Sequence, residues 1–418
     1  MISTLITIRL KLLSAGGVTG PESVAADPDT SHLPLRRDPD GAVALPGSTV
    51  AGSLRAHCDH WPGLPEDLFG ATPGAEQKLP SAIQVLGVRL RGDLPCVESA
   101  TRVAIDRHRG AARVHALFTI ERLPAGTEFD VHLRCDDAVL DGFLDAVRAW
   151  RPRLGRGVTT GSGVCTVTGV ASRTYDLTDP DDLVMWLAVG DPASYPQPTE
   201  VLEEPAAPDA VIDVRLEIVD GLHIGTGVAE LLPDHEVSPV VQRDRVPYVP
   251  GSSLKGVLRS RVEYICRVLG QPACDDARCG TCEPCLLFGW SPRGGTQLGG
   301  ARGTVAIPDA VIDGGGVPDE RTHVALDRVT GGAREGLLYT QQVVVAGHFR
   351  LRVEPLRPLT DVWLALLRAS VADLHDGLVG IGGATTRGLG TVRVSDDAWV
   401  APDLSALAAL VTGGSSDG

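Results

Sequence analysis

The chain has 418 residues, 43% of them apolar, 22% charged and only 4% aromatic, with a formal net charge of −15 at pH 7. That composition excludes a disordered polypeptide. It also excludes a membrane-spanning helix, because no apolar run reaches 18 or more residues, and a protein that coats nucleic acid through a uniformly basic surface.

The first elements can be read from alternation. Ile2, Ile6, Ile8, Leu10 and Leu12 share one face opposite Thr7, Arg9 and Lys11, which predicts a half-buried strand. Arg9 and Lys11 also interrupt the apolar run of a would-be signal peptide, so a cytoplasmic protein is expected. A polar loop carrying Asp27, Asp29 and His32 follows. It leads to Pro46-Gly47-Ser48-Thr49, a helix start that continues to Arg55. Leu68-Phe69-Gly70, Ala104-Ile105-Asp106-Arg107, a helix from Asp137 to Trp150 and Thr159-Thr160-Gly161 complete this half. His57, Cys58 and His60 have a spacing poorly suited to tetrahedral metal binding and read as a helix end.

The stretch from Asp191 to Asp209, rich in Pro, Glu and Ala, reads as a linker. Beyond it the landmarks recur in the same order. Ile212, Val214, Leu216 and Ile218 predict a second half-buried strand. A loop with Asp234, His235 and Glu236 follows, and then Pro250-Gly251-Ser252-Ser253-Leu254-Lys255 opens a helix whose stripe runs through Leu258, Val262, Ile265 and Leu269 to Gly270. Leu287-Phe288-Gly289, Ala325-Leu326-Asp327-Arg328, a helix from Asp361 to Leu374 and a glycine-rich run from Gly380 to Gly390 match the rest. Four ordered landmarks imply two homologous domains, at 1–190 and 210–418, joined by the linker at 191–209. Each has the order of a ferredoxin-like βαββαβ unit with long insertions, an α+β fold.

Only the second half has the cluster Cys274-x4-Cys279-x2-Cys282-x2-Cys285. Four thiolates in twelve residues suit a tetrahedral structural zinc site at 274–285, and a loop without a core gains its order from the metal. An iron–sulfur cluster is the alternative, although the final Cys-Pro of a ferredoxin run is missing. Disulfides are disfavoured without a secretion signal.

Two anion sites are expected. At the second helix start Ser252 or Ser253 caps free amides, and Lys255 and Arg259 lie one turn apart, spaced to hold adjacent phosphates. The bland alternative is an ordinary capped helix. The first half keeps Arg55 but has Ala51 in place of Lys255. Backbone amides of the run around Gly382 and Gly383, with Arg387, form the other site, although tight turns also need glycines.

The Pro-Gly-Ser-Ser-Leu-Lys-Gly helix start, the cysteine cluster running into Leu287-Phe288-Gly289, Asp327-Arg328-Val329-Thr330-Gly331 and the terminal glycine-rich loop resemble the RAMP superfamily of CRISPR-associated proteins. Within it the chain is most similar to backbone subunits of type III effector complexes, including fused multi-unit forms. The resemblance implies modified RNA-recognition domains aligned along a guide RNA, with thumb-like hairpins supplied by 99–126 and 310–347. It also implies partners: complementary target RNA, a large polymerase-like subunit and small helical subunits. Members often cut target RNA through an acidic residue in the loop before the Pro-Gly-Ser helix. Counted from Arg37-Asp38 and Arg243-Asp244, that position falls near His32 and Ser238. Asp29 and Asp234 are the favoured carboxylates, with Asp27, Glu236 and His32 as further candidates and Mg2+ or another divalent metal as cofactor. The alternatives are solvated loop carboxylates in a purely structural guide-RNA-binding subunit, or a repeat-RNA processing nuclease using His32 or His235.

Overall fold

Apolar alternation does build the predicted central strands. The computed structural model describes residues 1–418 except 21–23, 28–29, 72–78, 107–110, 137–139, 191, 204–208, 233–234, 293–298, 315, 397–398, 401–402, 404 and 413–418. The chain forms two compact units, one of Met1–Ala100, Phe118–Val158 and Ser162–Ala207, the other of Thr101–Leu117, Thr159–Gly161 and Pro208–Gly418.

The first half runs β1 (Ile2–Leu12), β2 (Val24–Asp27), β3 (Thr30–Leu33), α1 (Gly47–Cys58), β4 (Ile83–Leu90), β5 (Glu98–Asp106), β6 (Ala111–Arg122), β7 (Glu128–Asp136), α2 (Leu140–Ala149), β8 (Cys165–Asp176) and α3 (Pro180–Ala188). Its main sheet has the order β4-β7-β1-β8, antiparallel throughout. Ile6, Ile8, Leu10 and Leu12 of β1 share a core with Val50, Leu54 and Cys58 of α1 and Phe143, Ala146 and Val147 of α2.

The opposite face of β1 departs from the expected half-buried strand, since Ser3, Leu5 and Thr7 are also buried. Residues of the linker stretch pack on this side of the sheet. The ring of Tyr195 meets His132 edge-on at 4.9 Å, Arg9 Nη1 donates to the Pro198 carbonyl at 3.5 Å, and the Leu202 amide donates to the Thr168 carbonyl at 2.9 Å.

The second half adds β9 (Ile212–Ile218), β10 (Glu230–Leu231), β11 (Glu236–Ser238), β12 (Gln242–Arg243), β13 (Val246–Val249), α4 (Gly251–Val268), α5 (Glu283–Phe288), β14 (Gly289–Trp290) and β15 (Ala301–Arg302). Then come β16 (Val305–Ala306), β17 (Ala310–Val311), β18 (Asp319–Leu326), β19 (Ala333–Val343), β20 (His348–Pro355), α6 (Asp361–His375), β21 (Val392–Val394) and α7 (Ser405–Thr412). The main sheet is β16-β20-β9-β21, again antiparallel. In both halves the four strands of the βαββαβ unit therefore stand in the spatial order 2-3-1-4, and the fold is two tandem ferredoxin-like domains.

Here the central strand is half-buried as predicted. Ile212, Val214, Leu216 and Ile218 face the core, while Asp213 on the other face pairs with Arg350 and Arg352. The long strands β18 and β19 form an antiparallel hairpin between β17 and β20. β5 and β6 occupy the corresponding place in the first half.

Candidate metal centre and nucleic-acid interface

Two cysteines of the cluster sit in the loop after α4 and two at the start of α5, where Cys282 is the residue before the first turn. Their sulfurs all lie within 4.8 Å of one another, with Cys274 and Cys285 at 3.3 Å and Cys282 and Cys274 at 3.8 Å. Tetrahedral zinc–thiolate bonds of about 2.3 Å would set sulfurs about 3.8 Å apart, so the donor set fits a metal ion such as zinc. Burial tends to raise the Cys279 thiol, but hydrogen bonds led by the Cys282 and Thr281 amides outweigh it and bring the pKa to about 6. One ligand is thus poised as thiolate. Gly280 is required at the turn: its φ is +70°, and a Cβ there would stand 2.6 Å from the Trp290 ring. Closure by four protein ligands leaves a metal no open position, which is the pattern of a structural site.

Arg259, expected to face phosphate, is instead buried beside this centre. Its Nε donates to Glu263 at 2.9 Å, its Nη1 to the Gly289 carbonyl at 2.8 Å and its Nη2 to the Cys285 sulfur at 3.5 Å. Arg55 repeats the pattern: its Nη2 donates to the Gly70 carbonyl at 2.9 Å, and Asp59 stands one turn on at 4.0 Å. Gly70 and Gly289 both hold positive φ. The duplicated arginines therefore clamp the chain's own Leu-Phe-Gly turns, and at Arg259 a carboxylate, a carbonyl and a sulfur occupy all three guanidinium nitrogens.

The expected serine cap at α4 is also corrected. Pro250 is the N-cap, with no side-chain cap bond, and the Gly251 amide donates to Asp309 Oδ1 at 2.8 Å. Asp309 also pairs with Arg243 at 3.0 Å. The helix N-terminus holds an internal carboxylate where an external anion was expected, as its dipole favours. Lys255 is partly buried. Its Nζ donates to Thr159 Oγ1 at 2.8 Å, and burial, with Arg259 near, pulls its pKa down to about 8. Ser252 and Ser253 lie on the first turn beside it.

The glycine-rich run is a tight structure around His223. Gly382 has φ +89°, a Cβ there would lie 2.4 Å from the His223 carbonyl, and the Gly383 amide donates to that carbonyl at 2.7 Å. Arg387 is exposed. It donates to the Tyr339 hydroxyl and stands 5.8 Å from the centre of that ring, while the other neighbour of Tyr339, His323, stacks at 5.2 Å with 25° between planes. This cation–aromatic ladder suits a nucleobase or a phosphate. Sequence reading found Arg387 but missed Tyr339 and His323, which face each other across the β18–β19 hairpin. Their signal in the sequence was one ring-bearing residue on each strand of the expected 310–347 hairpin.

Among the catalytic candidates, Asp29 and Asp234 lie outside the described residues. Asp27 closes β2, and His32 Nε2 approaches Glu121 at 3.5 Å. Glu236 is exposed at the start of β11, and the adjacent His235 approaches Glu320 at 3.3 Å. Asp327 shapes the hairpin tip, accepting from the Val329 and Thr330 amides at 2.9 Å each.

The RAMP superfamily model matches residues 13–166 and 215–393, one stretch in each half. Over 85 residues the chain is 35% identical to a protein of Methanothermobacter thermautotrophicus named CRISPR system Cms endoribonuclease Csm3. That match covers 20% of this chain and 34% of the relative.

Proposed function

Because the chain belongs to the RAMP superfamily, with a unit in each half, we propose that it is a two-unit backbone subunit of a type III CRISPR effector complex. In this reading it holds guide RNA and cleaves complementary target RNA. The observation that carries it is the repeated 2-3-1-4 sheet, with a long hairpin inserted along the chain between the second and third strands of each copy. The similarity to a CRISPR endoribonuclease supports the same reading. The proposed cytoplasmic setting is consistent with the finding that no described helix is long and apolar enough to cross a membrane.

RNA contact is assigned first to Arg387 with Tyr339 and His323, and then to Lys255 with Ser252 and Ser253. Gly382 and Gly383 shape the loop that carries Arg387. A structural zinc at Cys274, Cys279, Cys282 and Cys285 is preferred to an iron–sulfur cluster. Cleavage is assigned to Asp29 and Asp234, where a carboxylate positions Mg2+ or another divalent ion at the scissile phosphate or assists attack by the ribose 2′-hydroxyl. The partners in this reading are the guide, the target, a large polymerase-like subunit and small helical subunits.

The test is the RNA that co-purifies with the full chain from its complex: a discrete guide-length species with a repeat-derived tag is expected, and its absence would refute the class. A non-catalytic structural role is the second reading, favoured by His32 and Ser238 standing where the acidic residue was counted. Target cleavage that persists unchanged in the Asp29→Ala, Asp234→Ala double variant would leave those carboxylates with no part in cutting.

A further inference from the structure

Beside the four-cysteine loop the second unit opens into a groove of about 490 Å3, lined in part by Asp276, Arg278, Phe288, Trp290, Ser291 and Arg302. The volume lies within the roughly 300–1,000 Å3 of ligand sites. Arg278 Nη1 is buried and has no hydrogen-bond partner among the described residues, although its Nε faces Asp276 at 3.4 Å. A buried guanidinium donor left unmatched calls for an acceptor from water, an ion or a ligand, and this one lines an open groove. Ala277, just before it, holds left-handed backbone at φ +61°, an uncommon and costly conformation for a residue with a Cβ. The Ala277 carbonyl accepts the Ser291 amide at 3.2 Å, and the Arg278 amide donates to the Cys274 sulfur. The metal loop and the groove wall therefore fix the position of Arg278 between them. Trp290, packed against Gly280 of the same loop, adds an aromatic surface to the groove, and Arg302 a second cation.

We propose that this groove binds one unpaired nucleotide of single-stranded RNA, with its base against Trp290 and its phosphate on Arg278 and Arg302. An aromatic ring beside two guanidinium groups is the combination that recognises an unstacked base and its backbone. Asp276 and Ser291 stand ready for the base edge. The inference rests on the reading that the chain holds RNA, and it gives the metal loop a share in that grip as the part that positions Arg278.

The test uses the full chain with its guide RNA, carrying 4-thiouridine at successive positions either in the guide or in an added complementary RNA. Irradiation followed by peptide mapping should place a crosslink on the peptide containing Trp290, and the labelled strand that yields it is the source of the nucleotide. In the Arg278→Gln, Arg302→Gln double variant the four cysteines are intact, so metal content should stay unchanged while RNA affinity falls about tenfold or more. Because the metal loop packs on Trp290, this variant carries the test in place of Trp290→Ala. Crosslinks confined to other peptides, or unchanged affinity in the metal-loaded double variant, overturn the groove and leave the wider reading standing. An unsubstituted chain that retains no RNA overturns both.

Discussion

Arg259 and Glu263 are 9% and 1% exposed, so removing the guanidinium strands a carboxylate in the core. Arg259→Ala should cost about 3–5 kcal/mol, whereas Arg55→Ala, whose partner Asp59 is half exposed, should cost about 1 kcal/mol. Urea titrations of the two variants check the contrast, and equal losses would refute the clamp asymmetry. Arg387 is the opposite case, exposed and beside an aromatic ring, so Arg387→Ala should weaken RNA binding while leaving thermal stability within about 0.5 kcal/mol. The salt dependence of binding should lose about one counterion. His132 adds a pH response. Burial, reinforced by Arg89 and opposed by Asp130, lowers its pKa below the ordinary 6.5. The unfolded chain therefore binds the proton more readily, so this stabilisation is complete above about pH 6.5 and declines as pH falls below it. The slope of stability between pH 7.5 and 5 should be shallower in His132→Gln.

Among the described elements, the metal loop and the glycine-rich run depend for their order on more than propensity. Chelation should unfold 274–285 and release the Trp290 packing, seen as a change in tryptophan fluorescence and loss of amide protection in that segment. Cys279→Ser should reproduce it, and a loop that stays protected without metal would argue against a structural ion. Gly382→Ala meets a backbone carbonyl at 2.4 Å in a left-handed conformation. It should destabilise by at least about 1–3 kcal/mol and shift the surroundings of His223. Both elements were legible in the sequence, because Cys spacing and glycine clustering are local signals. The roles of Arg55 and Arg259 were not, since the carbonyls they clamp lie 15 and 30 residues away.

For the whole molecule, duplication makes a quantitative prediction about cleavage. If each unit cuts at its own loop carboxylate, target RNA should yield ends at a fixed interval. Asp29→Ala and Asp234→Ala should then each erase one end and leave the other. Product mapping on bound target reads this directly, and a single cut site lost in only one variant would assign catalysis to one unit.

The sequence by itself determined the duplication, the ferredoxin-like order of elements, the central strands and the four-cysteine site, because periodicity and ligand spacing are written along the chain. Only the tertiary structure decided which charged groups face solvent. It packed Tyr195 on His132 and Pro198 on Arg9 at the second face of the first sheet, seated Asp309 on the helix start whose sequence suits phosphate and turned Arg259 inward onto Glu263. Each of these outcomes depends on partners distant in sequence, and burial of a charge is settled only when those partners meet it.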